Sequence, residues 1–418
     1  MAQLSDDCFA FGGPMMLVDE AVSIIASRVD AVIDTKWVDL AEADGRILGI
    51  GIKAPFPLPP FTNSAVDGYA VRSADLPRDA EQAFPIAGRI QAGGSASAAI
   101  APGEAVRIFT GAPMPSGADT VFMQEDVRID QSGKVVLPPG LKAGANVRPA
   151  GEDIPEGHSA LLAGRQLRPQ DIALIAAFGQ TCVEVRRRLR VAVFSTGNEV
   201  VSPGTPRGAA QLFDSNRFMM ASMLKRLGCE VSDLGILRDD RASLASALKE
   251  AAGSHDLILT SGGVSTGEED HVRAAVESVG TLVLWRMAIK PGRPVAMGII
   301  GGTPFIGLPG NPVASFVTFA YVVRPTILAL AGTAQRKLVP TPVRAAFNYT
   351  KKSGRREYVR VSLREGVGGV FEAVKFPREG AGLLSSLVDS DGLVELGEEV
   401  TAVKPGQMVG FMDYSNLV

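Results

Sequence analysis

The sequence predicts a multidomain α/β and β protein. A central doubly wound α/β domain is preceded by a β-rich insertion in an N-terminal helical linking domain and followed by a C-terminal β domain. Three observations carry this expectation. Between residues 189 and 331, short apolar runs alternate with stretches at helical spacing, the rhythm of a largely parallel sheet with crossover helices. Ahead of them, two helical stretches flank residues 61–150, which are rich in Gly, Pro and short strand-like runs. From about residue 335 no long helical period remains. At 418 residues the chain is also too long for one typical core, so several domains are expected.

Residues 14–34 carry Leu17, Ala21, Ile24, Ile25 and Ala31 at helical spacing, which predicts an amphipathic helix. The proline cluster PFPLPP at 55–60 ends regular structure there. Helix resumes at PQDIALIAAFG (169–179), with Pro169 at its first position and Gly179 as its stop. Helix, β insertion and helix again describe one domain interrupted by another. The expected divisions are 1–58 with 148–186 (linking), 59–147 (insertion), 187–334 (α/β) and 335–418 (C-terminal β). In the α/β part, LRVAVF (189–194), EVSDLGIL (230–237), DLILTS (256–261) and TPFIG (303–307) read as strands. Helices are expected at about 216–227, 242–252 and 271–279. The apolar stretch Ala314–Ala331 is interrupted by Arg324-Pro325 and reads as a buried helix rather than a membrane span.

Composition excludes several function classes. A net charge of −3 lacks the basic excess of a nucleic-acid binder. Cys8, Cys182 and Cys229 lie far apart, as do His158, His255 and His271, so neither a disulfide framework nor a zinc cage is expected. The start MAQLSDDCFA is acidic where a signal peptide would be basic. A cytoplasmic, reduced setting is the expectation.

In open α/β sheets, ligands sit beyond the carboxyl ends of the strands, and two loops there are chemically distinctive: STGNE (195–199) and SGGVSTGEED (261–270). Ser261, Gly262, Gly263 and Ser265 make an anion-binding nest with the helix start behind them. Gly262 and Gly267 have P-loop spacing, but Glu268 stands where the lysine must be, which excludes an ordinary Walker site. LPGNPVASF (308–316) places Asn311 and Pro312 at a helix start, and IKPGRP (289–294) sets Lys290 and Arg293 beside a turn. Two fixed cations suit a phosphate-like oxyanion; a solvated basic turn is the plain alternative. Asp67, Asp153, Glu199, Asp239 and Asp270 fall in loops or at element ends, an oxygen-donor set suited to Mg²⁺ with substrate phosphates. Asp-Gly at 67–68 is otherwise a plain turn, and Asp270 otherwise a helix cap.

Together PPFTNSAVDGYAVR, TGAPMPSGADTV, STGNE, TSGGVSTGEED and KPGRP with LPGNPVAS resemble, in order and spacing over essentially the whole chain, the molybdopterin molybdenumtransferase family, which includes bacterial MoeA and the gephyrin E domain. The resemblance implies a molybdopterin-binding α/β domain and a homodimer whose active site is shared between subunits. The implied reaction takes adenylylated molybdopterin and molybdate, with Mg²⁺, to molybdenum cofactor and AMP. It implies catalytic positions at Asp67 and Thr110, from the partner subunit, and at Asp153, Glu199, Asp239 and Asp270, with Glu199, Asp239 and Asp270 holding the metal. Lys290, Pro309 and Pro312 would form the molybdate and substrate wall, with Arg355 and Ser385 reaching in from the C-terminal domain. Two positions depart from the pattern: Arg286 where lysine is frequent, and Asn198 in STGNE where aspartate is common. A molybdopterin adenylyltransferase and the apo-molybdoenzymes are the protein partners the resemblance suggests. A single-domain adenylyltransferase and a non-catalytic scaffold are the alternatives; the extra domains argue against the first and the retained acids against the second.

Overall fold

The computed structural model describes residues 15–28, 30–95, 99–238, 240–263, 271–333 and 338–418. Its central sheet has six strands in the order 230–236, 190–195, 257–261, 303–308, 294–300 and 280–286. The first four run parallel. Alternation along the strands sends Val191, Val193, Leu257 and Leu259 to one core, and Ala192, Phe194 and Ile258 to another. Each face therefore needs helices to cover it. Residues 216–226 and 312–330 supply them on the first face, 241–252 and 271–279 on the second.

The last two strands depart from the parallel expectation: 294–300 pairs antiparallel with both 303–308 and 280–286. Gly301 and Gly302, both at positive φ, form the two-residue link between Ile300 and Thr303. Such a link imposes a tight hairpin in place of a crossover.

The long apolar helix begins at Pro312 and continues to Leu330 through a π-helical turn at Phe319–Val323. Pro325 has no N–H to donate, and a widened turn just before it absorbs that loss. By length and hydropathy this helix alone among the described residues could cross a membrane, but 78% of its apolar window is buried within the fold. The first helix is shorter than its sequence pattern, ending at Arg28. Asp30, Asp34 and the β-branched pair Val32-Ile33 disfavour its continuation. Its Val18 and Ala21 join the core of the α/β domain.

The chain leaves and re-enters the linking part through paired segments. Thr35–Asp39 runs antiparallel to Cys182–Arg186, and Ile52–Lys53 pairs with Ser159–Leu161. Between them, a four-stranded sheet (86–90, 105–108, 68–71, 120–123) and a three-stranded one (82–84, 135–137, 128–129) enclose two small cores of their own. The C-terminal strands 356–365, 371–375, 341–345, 408–413 and 392–396 close on themselves, because 356–365 also pairs with 392–396. This barrel-like sheet is stitched to the α/β domain at several points. Ile289–Lys290 adds to its edge beside Arg356–Glu357, and Tyr358 lies 4.2 Å, centroid to centroid, from Tyr321 of the long helix.

Candidate functional site

At the carboxyl ends of the parallel strands three loops converge. Gly262 donates from its N–H to the Leu308 carbonyl at 3.1 Å. A Cβ on Gly263, at φ +66°, would stand 2.4 Å from the Val272 side chain, so only glycine fits the bend. Asn216, at the start of its helix, donates to Ser261 Oγ and to the Gly310 carbonyl, both at 2.7 Å. Its Oδ1 is buried without a hydrogen-bond partner among the described residues, as are the hydroxyls of Ser195 and Thr260. Buried polar atoms are ordinarily paired, so these are acceptors and donors available to a ligand or ordered water. Asn216 is absent from the sequence-derived set; its signal was weak, an asparagine opening a helix.

Beside these loops lies a cavity of about 450 Å³ between the α/β domain and the C-terminal barrel. Lys290, Arg293 and Pro309 line it from one side, and Arg355, Arg360, Lys375 and Arg378 from the other, with Glu379 the acid in the wall. Gly292 sets the KPGRP turn. At φ +113°, a Cβ there would lie 2.7 Å from Thr318 Oγ1 on the long helix.

Behind the wall sits Glu357, fully buried. It accepts from Tyr349 Oη at 2.7 Å, Arg355 Nε at 2.7 Å and Lys290 Nζ at 3.2 Å. Burial by itself would raise the Glu357 carboxyl, but hydrogen bonds from Tyr349, Arg355 and Lys290 outweigh it and hold the group below its ordinary range. Burial, then the bond to Glu357, pushes the Tyr349 hydroxyl up, so it stays a donor. Lys290 and Lys375 both stand over the Tyr349 ring, 5.8 and 5.7 Å from its centroid, within cation–π range. Arg360 is 8% exposed; its Nε is buried with no partner among the described residues. The result is a cationic pocket with one buried carboxylate fixing the donors' directions.

The structure brings together Lys290, Arg293, Pro309 and Arg355 in this cavity, and Ser261, Gly262 and Gly263 at the adjacent strand ends. Pro312 begins the long helix without lining the cavity. Ser385 is exposed at the start of a four-residue helix; its neighbour Ser386 is the buried one. On the insertion, Asp67 accepts from the Thr110 N–H at 2.8 Å and from its hydroxyl at 2.9 Å. Those two bonds hold the Asp67 carboxyl below its ordinary range. This pair, like the exposed Asp153 and Glu199, does not line the cavity. Glu199 folds its carboxylate back over Gly197. Asp239, Ser265 and Asp270 lie outside the described residues, as does the side chain of Arg286. Among the described residues no three His, Cys, Asp or Glu side chains converge on a metal position; of the three expected Mg²⁺ donors, Glu199 is the one described.

Tyr349, Glu357, Arg360, Lys375 and Arg378 escaped the sequence reading. A signal was present in REYVRV: charges at 357 and 360 interrupt a strand otherwise suited to burial, and buried charges require partners.

Comparison with known proteins agrees along the whole chain. Residues 16–179 match the MoeA N-terminal region (domain I and II), residues 192–329 a probable molybdopterin binding domain, and residues 342–414 the MoeA C-terminal region (domain IV). A molybdopterin molybdenumtransferase of Haemophilus influenzae is 38% identical over 405 residues, covering 97% of this chain and 100% of that protein. One from Nostoc sp. is 36% identical, covering 95% and 93%. Among solved structures, a molybdopterin biosynthesis moeA protein from Pyrococcus horikoshii superposes with a TM-score of 0.81 at 27% identity, covering 96% of this chain and all of that one. With three family regions matched in order and relatives above 30% identity aligned over nearly all of it, the chain belongs to the molybdopterin molybdenumtransferase family.

Proposed function

We propose that this transferase of molybdenum-cofactor biosynthesis inserts molybdate into adenylylated molybdopterin and releases AMP. The observation that carries the reading is the cavity in which Lys290, Arg293, Arg355 and Arg360 face one another. A tetrahedral dianion accepts from several directions at once, which fixed guanidinium forks and an ammonium supply. Glu357 keeps Lys290 and Arg355 in place between turnovers, and the unpartnered Nε of Arg360 is a further donor. The strand-end loops at 195–199, 261–263 and 308–311 are assigned to the pterin and its phosphates, adjoining the oxyanion.

Atoms balance without a further reagent. One molybdate oxygen leaves with the two dithiol protons as water while two Mo–S bonds form. Cleavage of the phosphoanhydride consumes one water and yields AMP and the pterin phosphate.

In this reading Ser261, Gly262, Gly263, Ser265, Arg286, Pro309, Pro312 and Ser385 belong to the substrate side. Asp67, Thr110, Asp153, Glu199, Asp239 and Asp270 serve the phosphoanhydride step. Mg²⁺ is assigned to Glu199, Asp239 and Asp270; it would screen the phosphate charge there. Delivery of the Asp67–Thr110 pair, which lies on the insertion, by the second subunit of a homodimer is part of this reading. Domain divisions at 58/59, 147/148, 186/187 and 334/335, and a cytoplasmic setting next to a molybdopterin adenylyltransferase and apo-molybdoenzymes, complete the proposal.

The test is AMP release from purified protein loaded with adenylylated molybdopterin, with and without molybdate. Molybdate-stimulated release, lost in Asp270→Ala and weakened at least tenfold in molybdate dependence by Arg355→Ala, supports the reading. Tight pterin binding without AMP release, in a dimer supplied with Mg²⁺, overturns it in favour of a binding-only protein.

A further inference from the structure

At the opposite, amino-terminal edge of the α/β sheet, a second cleft of about 230 Å³ opens between the linking part and the α/β domain. Six cations line it: Arg46, Arg186, Arg187, Arg188, Lys225 and Arg226. Asp44 is the acid in its wall.

Some of these charges are already committed. Arg187 makes a paired contact with Asp256 at 2.6 and 2.7 Å and reaches Asp34 at 3.1 Å. The others are not. Arg46 is 7% exposed, and its hydrogen bond goes to the Arg186 carbonyl at 2.8 Å, a neutral acceptor. Arg186 donates to the Val32 carbonyl at 2.9 Å, and its Nε is buried without a partner among the described residues. The side chains of Arg188, Lys225 and Arg226 form neither a hydrogen bond nor an ion pair among the described residues. Burial first, and then repulsion from Arg188, lowers the affinity of Arg46 for its proton; Glu230 and Glu42 nearby offset this in part. A buried guanidinium without a carboxylate is costly, and an anion between Arg46 and its neighbours would remove that cost.

We propose that this cleft binds a phosphate-bearing small molecule, held by Arg46, Arg188, Lys225 and Arg226 between the linking part and the α/β domain. Convergent guanidinium forks and an ammonium match the several acceptors of a phosphate dianion better than a single carboxylate. The cleft is a compact pocket rather than a basic stripe, and the chain's net charge is −3, so a polyanionic nucleic acid is not its ligand. Because the cations come from both sides of a domain junction, an occupied cleft would also clamp that junction. The site is independent of the transferase reading.

Isothermal titration with inorganic phosphate tests it, on the full chain and on Arg355→Ala, which weakens oxyanion binding in the first cavity. Ionic strength is held constant with chloride. Arg355→Ala should retain one phosphate site; adding Arg188→Glu, or Lys225→Ala with Arg226→Ala, should weaken that site more than tenfold. A parallel titration with glycerol phosphate identifies the source: tighter binding than inorganic phosphate marks an organic ester as the ligand, and weaker binding marks the free ion. Loss of all phosphate binding in Arg355→Ala alone, or unchanged affinity in both sets of cleft variants, overturns the proposal.

Discussion

Glu357 shows how a residue that need not touch substrate can govern a binding site. Its carboxylate holds Tyr349, Arg355 and Lys290 simultaneously, so removing it leaves cations near a cavity with nothing to direct them. Glu357→Ala should cost about 3 kcal/mol, the lower part of the range for breaking a buried ion pair, since the Lys290 side chain is 44% exposed. Urea unfolding reads this directly. Glu357→Gln keeps the shape and removes the charge. The depressed carboxyl contributes stability that is fully present above the ordinary value of 4.5 and is lost as pH falls through its lower folded value. The acid limb of the stability profile should therefore flatten in Glu357→Gln; an unchanged limb would mean that the carboxylate bonds are not maintained in solution.

At the scale of the element, the helix Pro169–Ala177 depends on one acid. Asp171 is 4% exposed. Burial opposes its charge, but bonds from Arg165, Arg168 and the Arg168 N–H bring its pKa from 3.8 to about 2. The carboxylate thus caps the helix start and ties it to Arg165. A shift of this size corresponds to roughly 2 kcal/mol, present above pH 3.8 and lost as pH falls from there toward 2. Asp171→Asn should lose a similar amount at neutral pH, measurable as a lowered denaturation midpoint. The sequence placed this helix through Pro169 and Gly179, because its start and stop signals are local. Local signals also gave the parallel strands, most plainly 190–195 and 257–261, whose apolar runs are nearly continuous. Of the antiparallel strands, 303–307 belongs to the sequence reading, whereas 294–300 and 280–286 do not; Gly301-Gly302 is the hairpin signal that marks the first of them.

For the whole molecule, the distribution of cores predicts how it comes apart. Tyr358, Leu393, Met412 and Leu417 of the C-terminal barrel belong to the same core as Val191, Leu257 and Phe316 of the α/β domain. The insertion instead packs Tyr69, Phe84 and Phe122 in one core of its own and Ile108 and Val121 in another. Calorimetry should show the α/β domain and barrel unfolding together and the insertion separately; one transition with equal calorimetric and van't Hoff enthalpies would contradict this. A shared core also explains why the cationic cavity can lie between the α/β domain and the barrel.

What the sequence determined by itself was the fold class, the family and one wall of the cavity. Periodicity is a local property, and Lys290, Arg293 and Pro309 sit in compact motifs whose turn residues are visible in a short window. The opposite wall, Arg355 apart, was decided by tertiary structure. Arg360, Lys375 and Arg378 lie on the barrel strands and the turn after them, Tyr349 on a short strand paired with Ala402–Val403, and Glu357 behind them; they meet the KPGRP turn because Ile289–Lys290 pairs with Arg356–Glu357. The basic cleft beneath the sheet has the same origin, since Arg46 meets Arg186 across 140 residues of chain. A charged residue within a strand reveals that it needs a partner, but only the closed fold determines which partner it meets.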